Sequence, residues 1–265
     1  MPNGPIALFG SGETSRRGRQ VHSELLQRLP QPVRVAILET PAGFQPNVGV
    51  VSGKLRTFFE QNLRNFEPAV SVVAARQRGG VFDPDSPEVA RPLLQADYIF
   101  AGPGSPTFMM RQLAGTRTLE LLLRRNADGA TLSFASAAAI SVGRFVLPVY
   151  EIYKVGDALH WLPGLDLFAP LGLNLAILPH WNNNEGGSEL DTSHCFMGAE
   201  RFRYLKRMLP TDTTILALDE HTACILEPED ESVLVMGAGS VTVISGAGEV
   251  SFGDGARFLF NQLRC

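Results

Sequence analysis

A serine stands where an expected buried strand turns abruptly into a run of small helix formers. The strand is predicted over Thr131–Ala135, and Ser136 is followed by three alanines. The order strand, serine, helix is that of a nucleophile elbow, in which a sharp turn exposes the hydroxyl and aims free helix N–H groups at it. Phe134 and Ala138 stand where the usual elbow pattern has glycines. A helix N-cap is the simpler interpretation of Ser136 taken alone.

A serine hydroxyl attacks a carbonyl only when a neighbouring imidazole takes its proton. His180 directly follows a predicted strand at residues 175–178, as Ser136 follows its own strand. We therefore expect both side chains at the same edge of one sheet. His221 also follows a predicted strand and is the alternative imidazole.

A carboxylate must in turn orient the imidazole. Glu151 is the predicted carboxylate, because an acid among aromatic and aliphatic neighbours is costly to bury unless it is paired. A structural ion pair with Lys154 would explain the same residue. Asp157 and Glu220 remain alternatives.

The elements that must position these residues follow an alternating order. Strands and helices alternate over residues 5–143, which predicts a mostly parallel central sheet with helices on both faces. The loops at Gly10, Glu39, Gly102 and Ser136 all follow strands and should converge on one edge. The loop at Gly102 has two glycines around a proline, a composition suited to an oxyanion-hole donor.

The C-terminal part of the chain has a different pattern. Residues 223–252 are strand-rich with glycine turns and are expected to extend the sheet with antiparallel hairpins. Residues 147–154 have a period-two pattern, and residues 257–263 are expected to form a closing helix. Without repeats or linkers, residues 1–265 are expected to form one α/β domain.

Composition narrows the functional classes. The chain has 265 residues, 45% hydrophobic, and a formal net charge of −4, so we expect no nucleic-acid partner. No apolar run approaches the ~18 residues of a membrane span, and the N-terminus lacks the regions of a signal peptide. Cys195, Cys224 and Cys265 show no paired spacing. These features indicate a cytoplasmic protein without structural disulfides.

A metal site is not expected, nor is a cofactor. Metal-ligating residue types cluster in one segment, namely His180, Glu185, Asp191, His194 and Cys195. Their spacing matches neither H-E-x-x-H nor C-x-x-C.

Several stretches together resemble one family. They are, in order, residues 9–13 (FGSGE), 101–105 (AGPGS), 135–139 (ASAAA), 179–180 (PH), 218–223 (LDEHTA) and 237–243 (GAGSVTV). Their order and spacing resemble those of the cyanophycinase and aspartyl dipeptidase (peptidase E) group of serine peptidases. That resemblance spans nearly the whole chain and implies a class I glutamine amidotransferase-like fold.

The resemblance also implies roles for individual residues. Ser136 matches the nucleophile, His180 the general base, and Glu151 the acid, 15 positions after the serine. The backbone N–H groups of Gly104 and Ala137 match the oxyanion hole. The residues predicted to bind substrate are Ser105, Trp181 and Asn182.

The predicted activity is hydrolysis of a small peptide or amide through an acyl-enzyme. Residues 179–185 lack the basic side chains that cyanophycinases use, so cyanophycin is not the expected substrate. A non-catalytic ligand-binding relative is the alternative that Phe134 and Ala138 suggest. A glutaminase-like amidotransferase subunit is disfavoured, because those proteins have cysteine at the elbow. Trp161 and Trp181 could form a homodimer face or line a pocket.

Overall fold

The computed structural model describes residues 3–264, which contain two β-sheets. The first sheet has eight strands, which are β1 (Ile6–Phe9), β2 (Arg34–Leu38), β3 (Ala69–Val73), β4 (Tyr98–Ala101), β5 (Thr131–Ala135), β10 (Thr222–Glu227), β11 (Ser232–Gly237) and β14 (Arg257–Leu259). Their order is β14-β11-β10-β1-β5-β4-β2-β3. The five strands from β1 to β3 in that order pair in parallel, and β10, β11 and β14 add antiparallel pairings at one side.

The second sheet has six strands, which are β6 (Phe145–Val146), β7 (Leu162–Pro163), β8 (Leu175–Leu178), β9 (Thr214–Leu218), β12 (Val241–Ser245) and β13 (Gly248–Phe252). Their order is β13-β12-β9-β8-β6-β7. Strands β8 and β9 are parallel neighbours, so the residues that follow them emerge side by side.

Helices connect and cover the strands. The α-helices are α1 (Arg16–Leu26), α2 (Val48–Asn62), α3 (Pro87–Ala90), α4 (Pro106–Leu113), α5 (Arg117–Ala127), α6 (Ala137–Ser141) and α7 (Gly198–Met208). Shorter 3₁₀ turns lie at Thr40–Ala42, Arg64–Phe66, Arg91–Gln95, Ala169–Leu171 and Phe260–Leu263, and Glu151–Val155 forms one turn of π-helix.

Three hydrophobic layers hold these elements together. Alternate residues of the first sheet face two different layers, as Leu8 and Phe9 of β1 show. On one side, α1 and α2 cover the sheet. On the other side, α4, α5, α6 and the second sheet share a core with it. The outer face of the second sheet packs against α7. Both sheets are thereby buried on both faces, which is why most of their strands read as continuous apolar runs.

The expected α/β architecture, mostly parallel with helices on both faces, is confirmed, but three details of the prediction are wrong. Late strands β12 and β13 join β9 in a separate sheet instead of widening the central one. Residues 257–263 form a strand followed by a 3₁₀ turn, and not a helix. The strands that precede Ser136 and His180, expected in one sheet, lie in different sheets, since β5 belongs to the first sheet and β8 to the second. Residues 147–154, which have a period-two pattern, form a loop that leads into the π-helical turn.

The described residues contain no helix that combines the length and the apolar character needed to cross a membrane. Cys195 and Cys224 are buried free thiols, and Cys265 lies outside the described residues. The two tryptophans are each partly buried. The indole N–H of Trp161 donates to the carbonyl of Leu205, and Trp181 packs edge-on against Phe202. Both therefore pack against α7, and Trp161 also lines a surface pocket.

Candidate active site

Ser136 occupies a tight turn between β5 and α6. Its backbone has φ 53° and ψ −116°, a conformation that residues other than glycine rarely adopt. Two main-chain hydrogen bonds hold this turn, since the N–H of Ser136 donates to Phe9 (3.1 Å) and its carbonyl accepts from Ile140 (3.1 Å). The elbow geometry predicted from the sequence is therefore present, and an N-cap alone does not describe it, because the Ser136 side chain makes no capping bond.

The two residues that depart from the usual elbow pattern lie in the core. Phe134 and Ala138 are both fully buried, in the layer between the first sheet and the second. Neither lines the pocket beside Ser136. The benzyl group at position 134 thus fills the core behind the elbow and leaves the space in front of the serine open.

The His180 ring lies beside the Ser136 hydroxyl, although Ser136 follows β5 of the first sheet and His180 follows β8 of the second. Its Nε2 lies 2.8 Å from the Ser136 Oγ. His180 lies in the loop just after β8 and has a left-handed φ of 54°. Its N–H donates to the carbonyl of Gly10 (3.3 Å). The turn after β1 and the turn after β8 are thereby joined, so these loops converge as predicted, although they leave two different sheets and not one.

Glu220, which follows β9, supplies the carboxylate at the imidazole. Its Oε1 lies 3.1 Å from His180 Nδ1 and accepts a second hydrogen bond from the side-chain amide of Asn183 at 2.9 Å. Partial burial works to raise the pKa of Glu220, but the hydrogen bonds from Asn183 and His180 outweigh it and hold that pKa below its ordinary value. The carboxylate is therefore ionised at neutral pH and acts only as an acceptor.

This arrangement corrects the prediction that Glu151 orients the imidazole. Glu151 begins the π-helical turn after the elbow, and its buried Oε2 has no hydrogen-bond partner in the described structure. Asp157, one of the two alternatives, is exposed, and its N–H donates to the carbonyl of Glu151. Glu220, the other alternative, takes the position. His221, the alternative imidazole, is exposed and donates its N–H to Ser11 Oγ.

The residues around Glu220 lock its turn in place. Asp219 Oδ2 accepts from the N–H of Ser240 (2.8 Å), and Thr222 Oγ1 accepts from the N–H of Gly239 (2.8 Å). Asn182 Oδ1 accepts from the N–H of Glu220 itself at 2.8 Å. The LDEHTA stretch and the later glycine turn are thus one unit that fixes the carboxylate toward His180.

The oxyanion-hole candidates Gly104 and Ala137 line the same pocket as Ser136 and His180. A Cβ on Gly104 would overlap the carbonyl oxygen of Pro41, so only glycine allows this close approach. Ala137 is the first residue of α6, where N–H groups have no partner within the helix. The Ser141 hydroxyl lies within hydrogen-bond distance of two carbonyls, that of Ala137 in its own helix (2.8 Å) and that of Pro106 at the start of α4 (3.1 Å).

The three residues predicted to bind substrate have other contacts. Ser105 Oγ accepts from the N–H of Phe108 and caps α4. Trp181 packs against α7, and Asn182 holds the Glu220 turn. None of the three lines the pocket at Ser136. Asn183 and Ser141, which the sequence analysis did not single out, are the polar residues that position the site instead. No local pattern marks Asn183, because its partner Glu220 lies 37 residues away in the chain.

A second carboxyl group, that of Glu13, lies close enough to His180 to interact with it electrostatically. Burial raises the pKa of Glu13, while attraction to His180 and His221 works in the opposite direction. Glu13 and Glu220 are therefore two acidic side chains close enough to interact with His180. Within residues 3–264, no group of three or more histidine, cysteine or acidic side chains is arranged to hold a metal ion.

Comparison with known proteins identifies similar folds. No protein-family model matches the chain, and neither does any curated protein. Among solved structures, a peptidase from an acI-B1 actinobacterium has a TM-score of 0.77 at 19% identity, and the alignment covers 98% of each chain. A protein described as a putative Peptidase E from Listeria monocytogenes EGD-e has a TM-score of 0.58 at 17% identity, covering 89% of this chain and 100% of its own. The chain therefore shares its overall fold with these two solved proteins over nearly its whole length.

Proposed function

We propose that this protein is a serine hydrolase that cleaves a small peptide or amide through a Ser136, His180 and Glu220 triad. The observation that carries the proposal is the continuous chain of hydrogen bonds from the serine hydroxyl to the imidazole (2.8 Å) and from the imidazole to the carboxylate (3.1 Å). The fold that the chain shares with a solved peptidase supports the same class of reaction.

The direction of the hydrogen bonds suits the serine for attack. Because the ionised Glu220 only accepts, His180 Nδ1 carries the ring proton. The Nε2 atom is then the basic nitrogen and accepts the proton of the Ser136 hydroxyl. Glu220 fixes this tautomer and stabilises the imidazolium that forms when the proton is transferred.

The reaction then has two halves. Ser136 Oγ attacks the substrate carbonyl carbon, and the N–H groups of Gly104 and Ala137 receive the developing oxyanion. Protonated His180 gives its proton to the leaving amine, and the acyl group stays on the serine. Water, deprotonated by His180, attacks the acyl-enzyme and releases the carboxylic acid product. The chain's own side chains supply every proton transfer in this scheme, so it needs no cofactor.

Two observations bear on the wider setting. The buried free thiols of Cys195 and Cys224 fit the reducing cytoplasm that the sequence predicts. The non-catalytic alternative was suggested by Phe134 and Ala138 at the elbow. Both residues lie in the core and neither lines the pocket at Ser136, which supports the hydrolase over that alternative.

Covalent labelling with a fluorophosphonate tests the proposal. The wild-type protein should be labelled on Ser136, and Ser136→Ala should lose the label. Ser193→Ala is a matched control, because Ser193 also contacts an imidazole, that of His194 at 2.6 Å, but its hydroxyl donates to Asp191. This control should label like the wild type. Equal labelling of wild type and Ser136→Ala would refute the proposal.

A further inference from the structure

The pocket beside Ser136 has an apolar wall. Its volume is about 240 Å³, and besides Ser136, His180 and the two oxyanion residues it is lined by Pro106, Ile140, Val149, Tyr150, Cys195 and Phe196. None of the described residues that line it is a lysine or an arginine. Burial raises the pKa of the Cys195 thiol, so this residue stays uncharged and contributes apolar surface.

One side of this wall is a turn with an unusual backbone conformation that main-chain hydrogen bonds hold in place. His194, Cys195 and Phe196 all have left-handed φ values of 56°, 58° and 67°, a conformation that L-residues rarely adopt in succession. Main-chain bonds hold the turn against the loop that carries the catalytic imidazole, since the N–H of His194 donates to Trp181 and that of Cys195 to His180.

This strained turn directs an aromatic ring at the reacting groups. The Phe196 ring lies 5.4 Å from the His180 ring and 5.5 Å from the Tyr153 ring, measured between centroids. Its position is therefore fixed on both sides. The wall that a substrate side chain would meet next to the serine is apolar and packed on both sides, and it is built from parts of the chain far apart in sequence.

We propose that this pocket receives the side chain of the residue whose carbonyl is attacked, and that it selects an apolar side chain of the size of leucine, methionine or phenylalanine. This inference rests on the proposed hydrolase function and names the substrate class for it. Binding an apolar side chain against an apolar wall is favourable, because it removes apolar surface from water.

An acidic side chain would be rejected for two physical reasons. Its carboxylate would be removed from water and would find no cation among the described residues that line the pocket. Burying an unpaired carboxylate is costly. It would also bring a further carboxylate near Glu220, the ionised acid that already accepts a hydrogen bond from His180. The pocket therefore contrasts with what an aspartyl dipeptidase would require.

Inactivation by diphenyl α-aminoalkylphosphonates tests the selectivity directly. These probes react with the serine and differ only in the side chain that enters the pocket. We expect the leucine and phenylalanine analogues to inactivate at least ~30-fold faster than the aspartate analogue, within the range that a hydrophobic pocket provides. An aspartate analogue that reacts as fast as the leucine analogue would overturn the inference.

Substrate hydrolysis provides the second measurement. Aminoacyl p-nitroanilides of leucine, phenylalanine, alanine, aspartate and arginine share one leaving group, and kcat/KM should be greatest for leucine or phenylalanine. Fluorophosphonate labelling distinguishes the two levels of the argument. Loss of labelling on Ser136 removes the proposed function, whereas intact labelling with a preference for aspartate or arginine removes only the apolar specificity.

A charge introduced into the wall should change the preference. Tyr150 is 41% exposed, so Tyr150→Lys adds an ammonium at the pocket without a cost to the core. We expect the ratio of leucine to aspartate inactivation rates to fall by about tenfold, because the ammonium pairs with the carboxylate. Tyr204→Lys is the matched control, since Tyr204 is 51% exposed on α7 and does not line the pocket. A ratio that stays unchanged in folded Tyr150→Lys would contradict the assignment of this wall.

Discussion

The carboxylate of Glu220 lies 3.1 Å from Nδ1 of His180, although 40 residues separate them in the chain. The pairing of two strands brings them together. Strands β8 and β9 are parallel neighbours, with Leu178 beside Ala217, so the loops that leave their ends emerge side by side. Strand order, and not local composition, therefore decides which acid orients the imidazole.

The first prediction separates Glu220 from Glu151. Glu220→Gln should reduce kcat/KM by about 10³- to 10⁴-fold, because a neutral amide no longer fixes the productive tautomer of His180 or stabilises the imidazolium. Glu151→Gln makes the same chemical change at the acid that sequence alone favours, and should leave kcat/KM within a few-fold of the wild type. Steady-state hydrolysis of leucine p-nitroanilide measures both.

The reverse result is equally clear. If Glu151→Gln lost activity by orders of magnitude while Glu220→Gln retained it, the acid of the triad would have been misassigned. Thermal melting of both variants should accompany the kinetics, so that a folding defect is not mistaken for a lost catalytic group.

Much of the site could be predicted from the sequence because one rule covers it. Ser136, Gly104 and His180 follow predicted strands, and functional loops collect at the carboxyl ends of parallel strands. The rule brought out these residues even though His180 follows a strand of the second sheet and not of the first. Glu220 follows β9 almost directly, whereas Glu151 is separated from the short strand β6 by a loop and begins the π-helical turn. The choice of Glu151 rested instead on the cost of an acid among aromatic residues, but the structure leaves its buried Oε2 without a hydrogen-bond partner among the described residues, so that cost did not identify the acid at His180.

The second sheet could not be predicted for a related reason. Strands buried on both faces are continuous apolar runs, and such a run is the same whether it joins a large sheet or a separate one. In the structure, β8 and β9 face the shared core through Ile177 and Leu216 and face α7 through Ala176 and Ala217. Only the long-range pairing distinguishes the two arrangements.

The second prediction concerns Asn183 as a positioning residue. Its side-chain amide donates to Glu220 Oε1 at 2.9 Å, and Asn183 is only 2% exposed. Asn183→Ala should lower kcat about tenfold or more with little change in KM, because it releases the carboxylate that orients the base and leaves the pocket walls intact. Asn184→Ala, at the exposed neighbouring position, is the matched control and should keep the wild-type kcat. A rise in KM at constant kcat would instead indicate direct contact between Asn183 and substrate.

The third prediction tests the close approach at Gly104. In Gly104→Ala the new methyl group would overlap the Pro41 carbonyl, so the loop must move and carry the oxyanion N–H away from Ser136. We expect kcat/KM to fall by about 10²-fold or more. Gly53→Ala is the control, because Gly53 lies within α2 with open space around its Cα. That variant should keep its activity and gain about 0.5–1 kcal/mol of stability.

The fourth prediction uses a buried histidine beneath the active-site turn. His22 is 1% exposed, and its Nε2 lies 3.1 Å from the carbonyl oxygen of Glu13 while its Nδ1 lies 2.6 Å from the Tyr98 hydroxyl. Because a carbonyl only accepts, Nε2 carries the proton and Nδ1 accepts from Tyr98. Burial is the main cause that lowers the pKa of His22 from 6.5 to about 3, so the ring stays neutral in the folded protein.

The sign of the pH effect follows from that shift. Below pH 6.5 the unfolded chain binds a proton at His22 that the folded protein does not, so the free energy of unfolding falls as the pH is lowered from 6.5 toward 3. His22→Gln cannot titrate and should lose less stability over this range, by on the order of 1 kcal/mol per pH unit. Urea denaturation at pH 7, 6, 5 and 4 measures the slope. Tyr98→Phe keeps the titrating ring and should keep the wild-type slope at a lower overall stability, whereas equal slopes in wild type and His22→Gln would show that His22 is not held neutral by burial.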